Sequence, residues 1–224
     1  MIDAIIVAPG SGKRMPAKEN KQFLKIEDKP IIIWTLEKFY FIKNIDNITV
    51  AIRKEDEKKM LSLFDEYNMK NIQLVYGGKE RQDSIENCLD TIIHTDYVLI
   101  HDGARPFVSD EIINNCVNNC TKSSCCTGVL AKDTIKIVDK DKNITSTPDR
   151  KSIWYAQTPQ AFHIDIIREA YKYARETNFI GTDDASLVEN LGYKVQMIEG
   201  SYNNIKITTT EDLAIAKYIA QSIK

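Results

Sequence analysis

The chain has 224 residues, 43% of them hydrophobic and 28% charged, with 30 basic and 32 acidic side chains and a formal net charge of −2. That is a globular composition able to bury roughly 70–75% of the unfolded surface, which excludes disordered and fibrous classes. The absence of a block of like charge argues against nucleic acid as a partner. The longest apolar runs fall far short of the roughly 18 residues a membrane span needs, and Met1-Ile2-Asp3 opens no signal-peptide pattern, so the expectation is a cytoplasmic protein with no membrane partner.

In chain order, short continuous apolar strands are predicted at Ala4–Ala8, Ile48–Ile52, Ile72–Tyr76, Tyr97–His101, Thr127–Leu130 and Lys194–Ile198, each buried on both faces. Helices fall between them. Met60, Leu61, Phe64 and Tyr67 recur at helical spacing, as do Ile166, Ile167, Ala170, Tyr171 and Ala174. At the C-terminal end Leu213, Ala216, Ala220 and Ile223 form one stripe behind a cap at Thr209 or Thr210, and all three stripes read as core. The stretch from Lys132 to Tyr155 breaks this rhythm. There β-branched residues flank the polar turn Asp139-Lys140-Asp141-Lys142-Asn143, a hairpin signal whose modest apolar content favours reaching a partner. The expected fold is therefore α/β: one domain over 1–224, with a Rossmann-like, mostly parallel sheet, helices on both faces and a protruding β-hairpin arm at about 132–155.

Chemistry concentrates where strands end, the side on which open α/β sheets bind ligands. The first strand runs into Ala8-Pro9-Gly10-Ser11-Gly12-Lys13-Arg14-Met15, where glycines admit an anion to backbone N–H groups and Arg14 adds charge. Its spacing matches neither the Walker nor the dinucleotide loop. Lys21 follows seven residues after Arg14, a spacing that suits two cations straddling a triphosphate. A second strand ends in Gly77-Gly78, which permits close contact with a planar ligand, followed by Arg81 and Ser84. A third ends in His101-Asp102-Gly103-Ala104-Arg105, where Asp102 is placed to hold Mg²⁺ against phosphates and His101 lacks a triad partner. Lys206 lies in a late β-like run. Each residue alone reads as a turn or cap. Their recurrence at four strand ends points to a nucleoside triphosphate and a second anion.

Five cysteines, at 88, 116, 120, 125 and 126, form neither an even set nor a metal-ligand pattern with His94, His101 and His163, and are read as idle or buried thiols.

Gly10 to Met15, Lys21-Gln22, Gly77 to Ser84, His101 to Pro106, Lys132 to Lys136, Asp149-Arg150, Thr158-Pro159-Gln160, Thr182 to Ser186 and Asn204 to Thr208 occur in an order spanning almost the whole chain. With these motifs the sequence closely resembles the 2-C-methyl-D-erythritol 4-phosphate cytidylyltransferase family. The resemblance implies transfer of a cytidylyl group from CTP to that sugar-alcohol phosphate, with release of pyrophosphate and Mg²⁺ as cofactor. It implies that Arg14, Lys21 and Lys206 surround the reacting phosphates and that Asp102 holds the metal. Ala8, Pro9, Gly10, Gly12, Gly78, Arg81 and Ser84 would form the nucleotide site, with Gly78 and Ser84 recognising cytosine. Thr134 and Arg150 would lie on an arm that reaches into a second subunit of a homodimer, joining Arg105, Thr158 and Thr182 of the receiving chain. Two positions depart from the family pattern: Pro9 stands where alanine is usual, and Lys79 replaces an acid.

Two rival readings differ in acceptor and in class. One is a ribitol 5-phosphate cytidylyltransferase, which shares the loops. The other is a catalytically silent nucleotide-binding protein, which has no need of Arg14, Lys21, Asp102 and Lys206 together.

Overall fold

The computed structural model describes residues 1–10 and 20–223. The strands are β1 (Ile2–Val7), β2 (Lys25–Ile26), β3 (Lys29–Pro30), β4 (Asn47–Ile52), β5 (Ile72–Tyr76), β6 (Tyr97–Asp102), β7 (Ser124–Leu130), β8 (Ile137–Val138), β9 (Ile144–Ser146), β10 (Trp154–His163) and β11 (Val195–Glu199). The helices are α1 (Ile31–Tyr40), α2 (Glu57–Glu66), α3 (Arg81–Thr91), α4 (Asp110–Cys120), α5 (Ile164–Glu176), α6 (Asp184–Asn190) and α7 (Thr210–Ser222).

Seven strands form one sheet in the order β11-β7-β10-β6-β1-β4-β5. All neighbours are parallel except β10, which runs antiparallel to both β6 and β7 and carries a bulge between Ala156 and Gln160. Because side chains alternate across a strand, each central strand feeds two layers. On one face Ala4, Ile6 and Leu99 pack with α1, α2 and α4 through Leu36, Phe39, Met60, Phe64 and Ile113. On the other, Ile5, Val7, Val98 and Ile100 pack with α3, α5 and α6 through Ile85, Ile167, Tyr171 and Val188. Each fully buried Ile or Leu contributes roughly 1.5–3 kcal/mol, so these layers fix the strand ends that build the site.

The structure amends several sequence expectations. The edge strands β5 and β11 are only half-buried, because each has one neighbour and incomplete helix cover. Leu61 and Ile223 point to solvent rather than into the core, while Met60, Phe64, Ala216 and Ala220 are buried. Thr209 is the residue that caps α7, its hydroxyl accepting from the Asp212 amide. Between α4 and α5, β10 adds an unexpected antiparallel central strand. The hairpin is present as β8–β9, paired from Ile137 to Ser146 and exposed throughout.

Candidate active site

The parallel strands β1, β4 and β6, together with β5, end on one side of the sheet, and a cleft of about 560 Å³ opens there. Its wall includes Pro9, Gly10, Lys21, Gln22, Arg53, Gly78, Arg81, Ser84, Asp102, Lys206 and Thr208. Arg14 and Gly12, expected in the nucleotide loop, lie outside the described residues. Ala8 is buried behind the wall, its amide donating to Ala51 O at 2.9 Å.

Lys21 is no solvated loop lysine. It is buried in a 3-10 turn, Lys21–Phe23, capped by Asn20, and its Nζ donates to Ile207 O at 3.0 Å. That bond ties the first loop to the segment carrying Lys206. After β5 the Gly77-Gly78 corner is dictated by space, since a Cβ at Gly77 would stand 2.7 Å from Ser84 Oγ and one at Gly78 would stand 2.3 Å from Asp83 Cβ. Ser84 is fully buried; its Oγ accepts from the Gly78 amide at 3.0 Å and donates to Glu80 O at 2.9 Å. The serine hydroxyl therefore holds the glycine corner in shape.

Asp102, the last residue of β6, is the electrostatic centre. Its Oδ1 accepts from Arg81 Nε at 3.3 Å, and its Oδ2 meets Lys206 Nζ at 2.9 Å and Arg105 Nε at 3.4 Å. Burial opposes ionisation, but Arg81, Lys206 and Arg105 outweigh it and hold the carboxyl far below the usual range, so Asp102 is an anion at any neutral pH. Arg81 in turn binds Asp184 through both terminal nitrogens, at 3.0 and 2.7 Å. The cluster thus gathers three cations around a carboxylate at the cleft wall.

Behind it, the Thr158 hydroxyl accepts from the Asp102 amide at 3.0 Å and lies 3.0 Å from His101 Nδ1, while His101 Nε2 lies 3.1 Å from Arg105 O. A hydroxyl that already accepts from an amide has its proton free for Nδ1, which makes Nε2 the protonated nitrogen of a neutral ring. Burial pushes the His101 imidazole down to about 4, consistent with that neutral state. Arg105 also donates from Nη1 to Asn204 O at 2.8 Å.

The expected acceptor residues are spread more widely. Arg105 and Thr158 flank Asp102, but neither belongs to the cleft wall. Thr182 is exposed just before α6. Thr134 and Arg150 lie exposed near the arm, with Arg150 Nη1 donating to Lys132 O at 3.1 Å. Arg53 and Thr208 in the wall were not anticipated. Arg53 directly follows β4, so the strand-end rule applied elsewhere would have found it.

Known proteins decide the family. The model of the family 2-C-methyl-D-erythritol 4-phosphate cytidylyltransferase matches residues 2–222. A protein of that name from Clostridioides difficile is 50% identical over 222 residues, covering 98% of this chain and 93% of its own. The chain belongs to the 2-C-methyl-D-erythritol 4-phosphate cytidylyltransferase family. A second relative of the same name, from Dictyoglomus thermophilum, is 46% identical and covers 95% of this chain and 93% of its own. Among solved structures, the 4-diphosphocytidyl-2C-methyl-D-erythritol synthase of Anaerococcus prevotii is similar at a TM-score of 0.89 and 37% identity, covering 98% of this chain and 96% of that one. The cytidylyltransferase of Thermus thermophilus follows at 0.80 and 28%, covering 99% and 100%. In this cytidylyltransferase cations from four separate segments, Lys21, Arg53, Arg81 and Lys206, line one cleft.

Proposed function

We propose that the cleft at the strand ends is where this enzyme, which transfers a cytidylyl group from CTP to 2-C-methyl-D-erythritol 4-phosphate to form 4-diphosphocytidyl-2-C-methyl-D-erythritol, binds both substrates. The observation that carries this reading is the convergence of Lys21, Arg81 and Lys206 with the ionised Asp102 on a cleft of nucleotide size. Pro9, Gly10 and Gly78 border the same space and suit a flat pyrimidine ring approaching backbone. In sequence, Gly12 and Arg14 belong to the same loop.

A phosphate oxygen of the acceptor attacks the α-phosphorus of CTP in line. The new P–O bond forms as the bond from that phosphorus to the bridging oxygen breaks, and pyrophosphate carries the electron pair away. The nucleophile is already an anion, so no proton need be removed from it, and the neutral His101 behind the wall fits a structural place. What the protein must supply is position for two mutually repelling anions and stabilisation of the charge that builds in the transition state. Lys21, whose Nζ bonds the carbonyl next to Lys206, and Lys206 itself both line the cleft and are assigned that work with Arg14.

Asp102 offers one carboxylate, and the described residues contain no group of three His, Cys, Asp or Glu side chains able to hold an ion alone. A single carboxylate completed by substrate phosphate oxygens is the donor set Mg²⁺ takes in phosphate chemistry, so the residues fit the ion. Asp102 would hold it, and the ion would supply charge neutralisation at the phosphates.

The exposed arm, with Thr134 and Arg150, is assigned to the acceptor site of a second copy, whose Arg105, Thr158 and Thr182 complete it. The exposed Ile137, Val138 and Ile144 support a homodimer formed through this arm, since isolated in water they gain nothing from folding. Five unpaired, buried thiols agree with a cytoplasmic enzyme. No nucleic-acid or membrane surface is assigned; no described helix is long and apolar enough to cross a membrane.

The deciding experiment offers CTP with a panel of sugar and polyol phosphates, including ribitol 5-phosphate, and follows pyrophosphate release. The expected result is release with methylerythritol phosphate and little with the others. Equal turnover of ribitol 5-phosphate would overturn the acceptor assignment, and CTP binding without release for any acceptor would overturn the catalytic one.

A further inference from the structure

Arg81 forms part of the cleft wall, yet its guanidinium is governed from outside the cleft. Nη1 and Nη2 donate to the two oxygens of Asp184 at 3.0 and 2.7 Å, while Nε donates to Asp102 Oδ1 at 3.3 Å. Asp184 is the first residue of α6, is fully buried and takes no part in the wall. Its Oδ1 also accepts from the Tyr171 hydroxyl at 2.6 Å, and Tyr171 is a core residue of α5. Burial, with Asp184 adding to it, holds the Tyr171 phenol well above its ordinary range, so it stays a donor.

A forked, two-bond contact between guanidinium and carboxylate fixes the plane of the arginine as well as its place. Once that plane is fixed, the direction of Nε is fixed too. The two oxygens of Asp102 are then pulled by different parts of the chain, Oδ1 by Arg81 from α3 and Oδ2 by Arg105 and Lys206. Without the pull on Oδ1, the carboxylate is left to the two cations on Oδ2. A buried ion pair is also a poor device for stability, because apolar residues of similar volume serve as well or better, so its use here suits placement.

We propose that Asp184, oriented by the Tyr171 hydroxyl, is a positioning residue that clamps the Arg81 guanidinium at one angle and thereby sets how Asp102 faces the cleft. The inference rests on the reading of Asp102 and Arg81 as active-site groups.

The test compares Asp184→Asn, Tyr171→Phe and Asp102→Asn with the parent enzyme. It measures kcat and KM for CTP, thermal melting, and the hydrogen exchange of the Arg81 Nε–H by NMR. Misplacing a catalytic group by about 1 Å costs on the order of 100-fold, so Asp184→Asn should lose about that in kcat and Tyr171→Phe about tenfold. KM for CTP should change less than about threefold, the signature of an interaction realised in the transition state. Exchange at Arg81 Nε should speed up in both. Tyr171→Phe removes one hydroxyl and no packing, so it decides the matter if Asp184→Asn does not fold. A Tyr171→Phe enzyme with parental kcat and parental Arg81 exchange overturns the proposal, whatever its melting temperature. If Asp102→Asn is inactive while the other two match the parent, this inference alone falls. If Asp102→Asn itself retains full turnover, the reading of the site falls with it.

Discussion

The floor of the cleft and the arm are built on opposite principles. At the floor, Asp102, Arg81 and Asp184 sit at the ends of packed elements, and the two buried carboxylates are held by the guanidinium between them. On the arm, Lys136, Asp139, Asp141 and Arg150 are exposed, Ile137, Val138 and Ile144 are at least half exposed, and β8–β9 is a two-stranded hairpin apart from the main sheet. Isolated hairpins of this kind are marginal in water. Placement at the floor is therefore fixed by the core of one chain, whereas the arm needs something to rest on.

The sharpest way to break this contrast is to ask whether the two regions serve one site. If Arg150 of one copy completes the site containing Lys206 of another, Arg150→Ala and Lys206→Ala enzymes should each be nearly inactive alone. Mixed after subunit exchange, a hybrid dimer holds one site with both lesions and one with neither, so random pairing should restore about a quarter of parental activity. Were both residues supplied by the same chain, every site would keep one lesion. Absence of rescue despite demonstrated exchange would return Arg150 to its own chain's site or remove it from any.

A second comparison concerns Lys21, which the floor claims by its bond to Ile207 O. Lys21→Ala should lower turnover by about 100- to 1,000-fold if the ammonium stabilises charge in the transition state. Its burial means the variant also leaves a backbone carbonyl unpaired, at a cost of roughly 1–3 kcal/mol in stability. Urea unfolding measured beside steady-state rates separates the two effects. A variant that is destabilised by that amount yet turns over normally would make Lys21 a strut of the loop and nothing more.

Much of the floor was legible in the sequence because strand ends are punctuated by glycine and charge. Gly78, Arg81 and Asp102 were named from such punctuation, Lys21 from its spacing after Arg14 and Lys206 from its place in a late β-like run, and the structure brings them to one cleft. What stayed hidden has physical reasons. The strand β10 begins beside the hairpin signal and contains Pro159, a residue that argues against a central strand, and its bulge further breaks the alternation. Helix α1 opens on the unbroken apolar run Ile31-Ile32-Ile33-Trp34 and also buries the polar Thr35, so its helical spacing is masked at the start and only Glu37 and Lys38 mark a polar side. In Thr182-Asp183-Asp184 nothing local tells the two acids apart. Asp183 caps α6 by accepting from the Ser186 amide, and Asp184 turns inward to Arg81. That division depends on α5 and α3, whose Tyr171 and Arg81 lie 13 and 103 residues away. Likewise Tyr171 was legible as an apolar stripe residue, while its hydroxyl partner was not.

The smallest expected effect tests whether the arm can be changed without touching the floor. Ile144 is 61% exposed and contacts no core cluster, so Ile144→Lys should leave the stability of the single chain within about 0.5 kcal/mol of the parent. In a dimer joined through the arm, the same change puts a charge where an apolar contact is needed, and burying an unpaired charge is costly. Sedimentation velocity should therefore find the variant dissociated at concentrations where the parent is dimeric. Hydrogen exchange in β1 and β6 should be the same in both proteins when each is measured as monomer, since those strands draw their protection from the two helix layers. Faster exchange in β1 and β6 of the monomeric variant would mean that the arm supports the sheet, and the separation of the two regions would be lost. Unchanged association would leave the exposed Ile144 without the partner it was read as awaiting, and a dimer, if formed, would have to use another face.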